Sequence, residues 1–89
     1  MPLIRKELRV KNKQGLHARP AALFVQVANK FNSSIKVGRD KEEVNGKSIM
    51  GILMLGAEKG SRIMIEAEGD DAHSAISELE KLITSEDEK

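Results

Sequence analysis

The sequence has no cysteine, tryptophan or tyrosine, and only two phenylalanines and two prolines among its 89 residues. Without cysteine there is no disulfide framework and no thiolate chemistry, so the chain needs no oxidising compartment. His17 and His73 are the only histidines, too few for a transition-metal cluster, and no metal or cofactor is expected. The missing Trp and Tyr remove the usual platforms for base stacking. Fifteen basic residues against 14 acidic ones leave a net charge of +1, which gives no global pull toward nucleic acid. No apolar run is long enough to span a bilayer, and Met1-Pro2-Leu3-Ile4-Arg5-Lys6 opens no signal-like apolar stretch. The expectation is a cytoplasmic protein with no direct nucleic-acid contact and no membrane insertion.

A chain of this length forms one small core and buries only about 60–65% of its unfolded surface. A single domain over residues 1–89 is expected, with Ser85-Glu86-Asp87-Glu88-Lys89 as a frayed acidic tail.

Ile4, Leu8 and Val10 share one parity, as in a half-buried strand, although Lys6 breaks the alternation. Phe24, Val27, Ala28 and Phe31 fall at i, i+3, i+4 and i+7, which predicts a helix that begins near His17. Asn32-Ser33-Ser34 signals a turn. Ile35 and Val37 then start a second strand, and Gly38-Arg39-Asp40-Lys41 turns the chain toward Glu43 and Val44 in a hairpin. Ser48 stands as N-cap before a short helix that ends at Gly56, with Gly51 weakening its middle. Ile63, Ile65 and Ala67 alternate as a fourth strand, and Gly69-Asp70-Asp71 supplies a turn and a cap. The last helix carries Ala72, Ala75, Ile76, Leu79, Leu82 and Ile83 on one side, leaving His73 to solvent. The order β-α-β-β-α-β-α, with one apolar face per helix, favours a two-layer α/β sandwich with its helices on one side of a sheet.

Gly15-Leu16-His17-Ala18-Arg19-Pro20 lies where the first strand gives way to the first helix. The first turn of a helix has N–H groups without intrahelical partners and the positive end of the macrodipole, so it attracts an anion. Pro20 fits such a turn because the N–H it lacks would be unpaired there anyway, and the N–H groups of Ala18 and Arg19 remain free. Gly15 is expected to leave little bulk beside the imidazole, so that a large partner can approach. A neutral imidazole, with an unperturbed pKa of about 6.5, is a nucleophile near pH 7 and can accept a phosphoryl group. The resulting phosphate would meet the free N–H groups and the Arg19 guanidinium. Spacing alone leaves a plain helix cap beside a solvated arginine equally open.

The string GLHARPA at 15–21, followed after a helix and a hairpin by VNGKSIMGILMLG at 44–56, closely resembles the histidine-containing phosphocarrier (HPr) family of the phosphoenolpyruvate-dependent sugar phosphotransferase system (PTS). The resemblance covers essentially the whole chain. It implies a four-stranded antiparallel sheet in the order 1-4-2-3 with three helices on one face. It also implies that enzyme I passes a phosphoryl group from phosphoenolpyruvate to Nδ1 of His17, and that the carrier hands it to IIA domains of sugar permeases. Ser48 matches the regulatory serine that HPr kinase/phosphorylase modifies, which brings a catabolite-control transcriptional regulator into the set of implied partners. Ile49, Met50 and Leu53 match a docking patch around the histidine. Gln14 and Gly46 depart from common versions of the pattern, which blurs partner preference and leaves His17 untouched.

The alternative is a mainly regulatory HPr-like protein, of the nitrogen-type PTS or of catabolite control, with little sugar flux. Ser48 speaks against the nitrogen branch. His17 and Arg19 speak against an HPr-like paralogue without the active histidine. An independent enzyme is disfavoured because one histidine and one arginine on a small convex domain offer no closed pocket. A monomer is expected.

Overall fold

A computed structural model describes residues 1–85 of the chain. The elements run β1 (Leu3–Arg9), α1 (Ala18–Ala28), β2 (Ser34–Arg39), β3 (Glu42–Asn45), α2 (Ile49–Leu55), β4 (Arg62–Glu68) and α3 (Ala72–Thr84), the order expected from the sequence. The strands form one sheet in the order β1-β4-β2-β3, with every neighbouring pair antiparallel. It follows that β1 and β2 run parallel with β4 between them, and that β3 and β4 run parallel with β2 between them. Two β-α-β crossovers are therefore interleaved.

Period-two alternation decides which face is covered. Leu8, Ile35, Val37, Ile63, Ile65 and Ala67 are buried beneath the helices, which contribute Ala21, Phe24, Ala28, Ile52, Leu55, Ala72, Ala75, Ile76, Leu79 and Ile83. Each large side chain so buried stabilises the fold by about 1.5–3 kcal/mol. Arg5, Lys36 and Glu43 are exposed on the opposite face, where Arg5 meets its register partner Glu66 with Nε 3.1 Å from Oε1.

Lys6 shares parity with Ile4 and Leu8, but its strand lies at the sheet edge. Its stem reaches out to Glu80 of α3, with Nζ 2.7 Å from Oε1. A long amphipathic side chain can thus occupy an apolar register position at the margin of the layer. The pair is solvent-exposed and contributes about 0.2–1 kcal/mol.

Several local expectations are corrected. α1 stops at Ala28, after which the N–H groups of Lys30 and Phe31 turn to the i−3 carbonyls of Val27 and Ala28 at 3.0 and 3.3 Å, so Phe31 packs against the core from outside the helix. The hairpin turns later than composition suggested. Gly38 and Arg39 stay in β2 opposite Glu43 and Glu42, and only Asp40 and Lys41 make the turn, with Asp40 at φ +57°. Gly51 also marks a close approach: a Cβ there would lie 3.2 Å from both the Asn45 carbonyl oxygen and Val44 Cβ. The Ser85 carbonyl accepts a hydrogen bond from Asn12 Nδ2 at 2.8 Å, and the rest of the expected tail lies outside the described residues.

Asp71 occupies the N-cap position of α3, yet its side chain makes no cap. Its carboxylate instead accepts the N–H of Asn32 at 2.9 Å, the N–H of Ser33 at 3.0 Å and the hydroxyl of the buried Ser33. The turn after α1 is thereby tied to the start of α3. The Ser33 hydroxyl, followed by the Asn32 N–H, holds the Asp71 carboxyl below its ordinary value of 3.8, against a smaller opposing effect of partial burial. A carboxylate depressed in the folded state stabilises it above the ordinary value, and that stabilisation is lost as pH falls through the folded-state value, below 3.8. Asp71→Asn is expected to lower the thermal midpoint at neutral pH and to flatten its decline as pH falls below the ordinary carboxylate value of 3.8. Parallel acid-side melting curves of the two proteins check this.

Candidate functional site

The segment between β1 and α1 is held at successive points. Val10 is buried and donates its N–H to the Ser61 carbonyl at 2.9 Å, and a turn closes between the Gly15 N–H and the Asn12 carbonyl at 3.1 Å. Leu16 is buried in the core, and its N–H donates to the Ala57 carbonyl at 2.8 Å. Gly15 sits at φ +64°, where a Cβ would lie 2.6 Å from the Ala57 carbonyl oxygen and 2.7 Å from Glu58 Cα. The expectation that Gly15 clears space for a partner is corrected: its bare side faces the backbone after α2, and it lets two segments touch.

With Leu16 pinned, the next residue emerges from the core. His17 is exposed at the N-cap of α1, with φ −79° and ψ −169°, and its imidazole makes no capping hydrogen bond. Its carbonyl accepts the first intrahelical bond, from the Ala21 N–H at 2.8 Å. The N–H groups of Ala18 and Arg19 precede that bond, Pro20 has none, and no acidic residue stands in the first turn. Ala18 and the Arg19 side chain are exposed beside them. The ring is thus not spent on capping and stands at the positive end of an 11-residue helix, whose Ala18 and Arg19 N–H groups lie ahead of the first intrahelical bond.

The second motif folds as expected. Ser48 is the N-cap of α2, half-buried, and its Oγ accepts the Gly51 N–H at 3.1 Å; Gly56 closes the helix at φ +65°. Ile52 and Leu55 are buried, whereas Ile49, Met50 and Leu53 are exposed by 37%, 63% and 39%. Met54 of α2 and Leu23 of α1 are also exposed apolar residues, and sequence reasoning missed both. The signal was present: Leu23 lies off the apolar stripe of α1, and Met54 stands one turn after Met50. Arg39 was missed too, because its contacts are with backbone sixteen positions away, as its Nη1 donates to the Leu55 carbonyl at 3.0 Å. His73 is exposed on α3, as expected.

The fold and site define an open-faced α/β sandwich that presents one uncapped imidazole at a helix N-terminus. The family model for the PTS HPr component phosphorylation site matches residues 4–85. The phosphocarrier protein HPr of Treponema pallidum is 44% identical over 87 residues, 98% of this chain and 99% of that protein. The HPr-like protein Crh of Halalkalibacterium halodurans is 46% identical over 84 residues, 94% of this chain and 100% of that protein. The crystal structure of a phosphocarrier protein HPr from Bacillus anthracis superposes with a TM-score of 0.90 at 46% identity, covering 93% of this chain and 99% of that one. The chain belongs to the HPr family of phosphotransferase-system phosphocarriers.

Gly15→Ala would force both a left-handed alanine and a clash with the backbone at 57–58. It is expected to cost about 1–3 kcal/mol of stability. Denaturant unfolding measures the loss, and the amide resonances of Leu16 and His17 are expected to move more than those of α3.

Proposed function

We propose that the chain is a cytoplasmic, monomeric phosphoryl carrier that takes a phosphoryl group from phosphorylated enzyme I onto Nδ1 of His17 and gives it to IIA domains of sugar permeases. The observation that carries this reading is the exposed imidazole at the N-cap of α1, not spent on capping, next to the open N–H groups of Ala18 and Arg19. The Nδ1 lone pair forms the N–P bond while the donor's bond to phosphorus breaks, and the donor keeps that electron pair. The ring retains its proton on Nε2. The dianionic phosphate then accepts hydrogen bonds from the two backbone N–H groups and the Arg19 guanidinium, each worth about 1.5–3 kcal/mol for a charged acceptor. Transfer onward reverses the step with a new nucleophile. The partners supply most of the catalysis, because an exposed ring on a convex surface excludes no water by itself.

Ile49, Met50 and Leu53 serve as the docking patch, extended by Met54 and Leu23. Unbranched methionines suit a surface that several partners share, since they repack against different shapes. Ser48 is the regulatory site for HPr kinase/phosphorylase. A phosphate there brings about −2 charge beside exposed apolar groups, which changes partner choice, including toward a catabolite-control transcriptional regulator. As an N-cap alone the hydroxyl is worth about 1 kcal/mol, and the two roles are compatible.

A mainly regulatory role with little sugar flux is the second reading, favoured by the similarity to HPr-like Crh proteins at 46% and 39% identity. Incubation with phosphoenolpyruvate and enzyme I, followed by localisation of the phosphoryl group at neutral pH, separates the two. The expected product is phosphorylated on His17 only, is acid-labile and base-stable, and is absent from His17→Ala. An unmodified protein, with an enzyme I competent toward another carrier, moves the reading to Ser48. Arg19→Lys keeps the charge but loses the planar fork, and is expected to transfer more slowly with an unchanged melting temperature.

A further inference from the structure

Arg39 ends β2, is half-buried, and belongs to no ion pair among the described residues. Its charge is directed at backbone: Nη1 donates to the Leu55 carbonyl at 3.0 Å and to the Gly56 carbonyl at 3.2 Å. These oxygens lie at the C-terminus of α2, where carbonyls lack intrahelical partners and the helix dipole favours a cation. No residue of α2 itself supplies that cation, since its last turn holds no basic side chain.

The clasped backbone continues directly into the floor beneath the acceptor loop. Gly56 leads to the fully buried Ala57, whose carbonyl accepts the Leu16 N–H at 2.8 Å. Gly15 rests against the same stretch, with no room for a Cβ above the Ala57 oxygen or Glu58 Cα. From the guanidinium to the acceptor the path is therefore one hydrogen bond, two carbonyl-bearing residues, a second hydrogen bond and one peptide link. Leu16 is buried and Gly15 is in contact with backbone, so the loop cannot slide over this floor, and a shift of the floor carries His17 with it.

We propose that Arg39 is a positioning residue for His17: its guanidinium clasps the end of α2, fixes the backbone at 56–58, and thereby sets where the imidazole stands relative to the first turn of α1. The inference deepens the phosphoryl-carrier reading, and its kinetic consequence rests on that reading. Arg39 touches neither the ring nor the transferred group. It acts through geometry, to which phosphoryl transfer is sensitive because a displacement of about 1 Å can cost up to about a hundredfold in rate.

The test compares the intact chain with Arg39→Met, which keeps the stem without donors, and Arg39→Lys, which restores a cationic donor. Amide hydrogen exchange is read at Leu16 and at Ile65 in the sheet, alongside steady-state phosphorylation by enzyme I. In Arg39→Met the Leu16 amide is expected to exchange about tenfold faster while Ile65 is unchanged. The kcat for His17 phosphorylation is expected to fall about three- to tenfold at unchanged KM. Arg39→Lys is expected to recover most of both. Unchanged Leu16 exchange overturns the proposal. So does equal acceleration at Ile65, which marks general destabilisation, and so does a change confined to KM, which marks a direct partner contact. If the intact chain accepts no phosphoryl group, the carrier reading fails, and Leu16 exchange in Arg39→Met alone decides whether the clasp holds the loop.

Discussion

The contact between the Leu16 N–H and the Ala57 carbonyl, with Gly15 lying bare against the same backbone, is the constraint on which the site depends. A single hydrogen bond contributes only about 0.5–1.5 kcal/mol net, too little to hold a loop in one place. The stronger restriction is steric. Gly15 occupies a left-handed conformation in a space that admits no side chain, and Leu16 is plugged into the core on the other side. Between those two conditions the chain has one way to enter α1, and it leaves His17 outside with its ring unused. The family's GLH string thus reads as a mechanical sequence: a residue that fits against backbone, a residue that anchors, and a residue that is presented.

The same economy explains how a seven-residue helix can display apolar side chains to water. An isolated helix of that length has no stability of its own, since about 12–15 residues are needed even for good helix formers. α2 persists because Ile52 and Leu55 are buried, Ser48 and Gly56 close its ends, and Arg39 takes its final carbonyls. Just before it, Lys47 Nζ donates to the Phe31 carbonyl at 2.7 Å, tying its entrance to the turn after α1. With the helix held by its ends and one narrow stripe, Ile49, Met50, Leu53 and Met54 are free to remain exposed.

Periodicity and capping chemistry carried much of the fold. The limits of α2, the alternation of β4 and the apolar side of α3 were readable because each depends on neighbours within a few positions. The strand order was not readable from periodicity and came from family resemblance, because nothing local tells β1 that its partner lies in β4. Three side chains whose partners could not be read from local pattern share one cause. Asp71, Lys6 and Arg39 each spend their side chains on groups from remote elements, the turn after α1, Glu80 of α3 and the end of α2. The candidate site was read from His17, Ala18, Arg19 and Ser48, and the structure places these residues at the N-termini of α1 and α2, where the sequence predicts helices to begin. Its supports were not.

The interleaving of the two crossovers has a consequence for the chain as it is made. Among the described residues β1 has a single neighbour in the sheet, β4, whose residues are 62–68. Most of the chain must therefore leave the ribosome before the first strand finds the only edge it pairs with, and no contiguous half carries a complete sheet. Contacts of such long sequence separation slow folding and expose strand edges in the interval. In the nascent chain, Leu3, Ile4 and Leu8 must wait for β4, with the charged residues Arg5, Lys6, Glu7 and Arg9 set among them as the guard against pairing with a neighbouring copy.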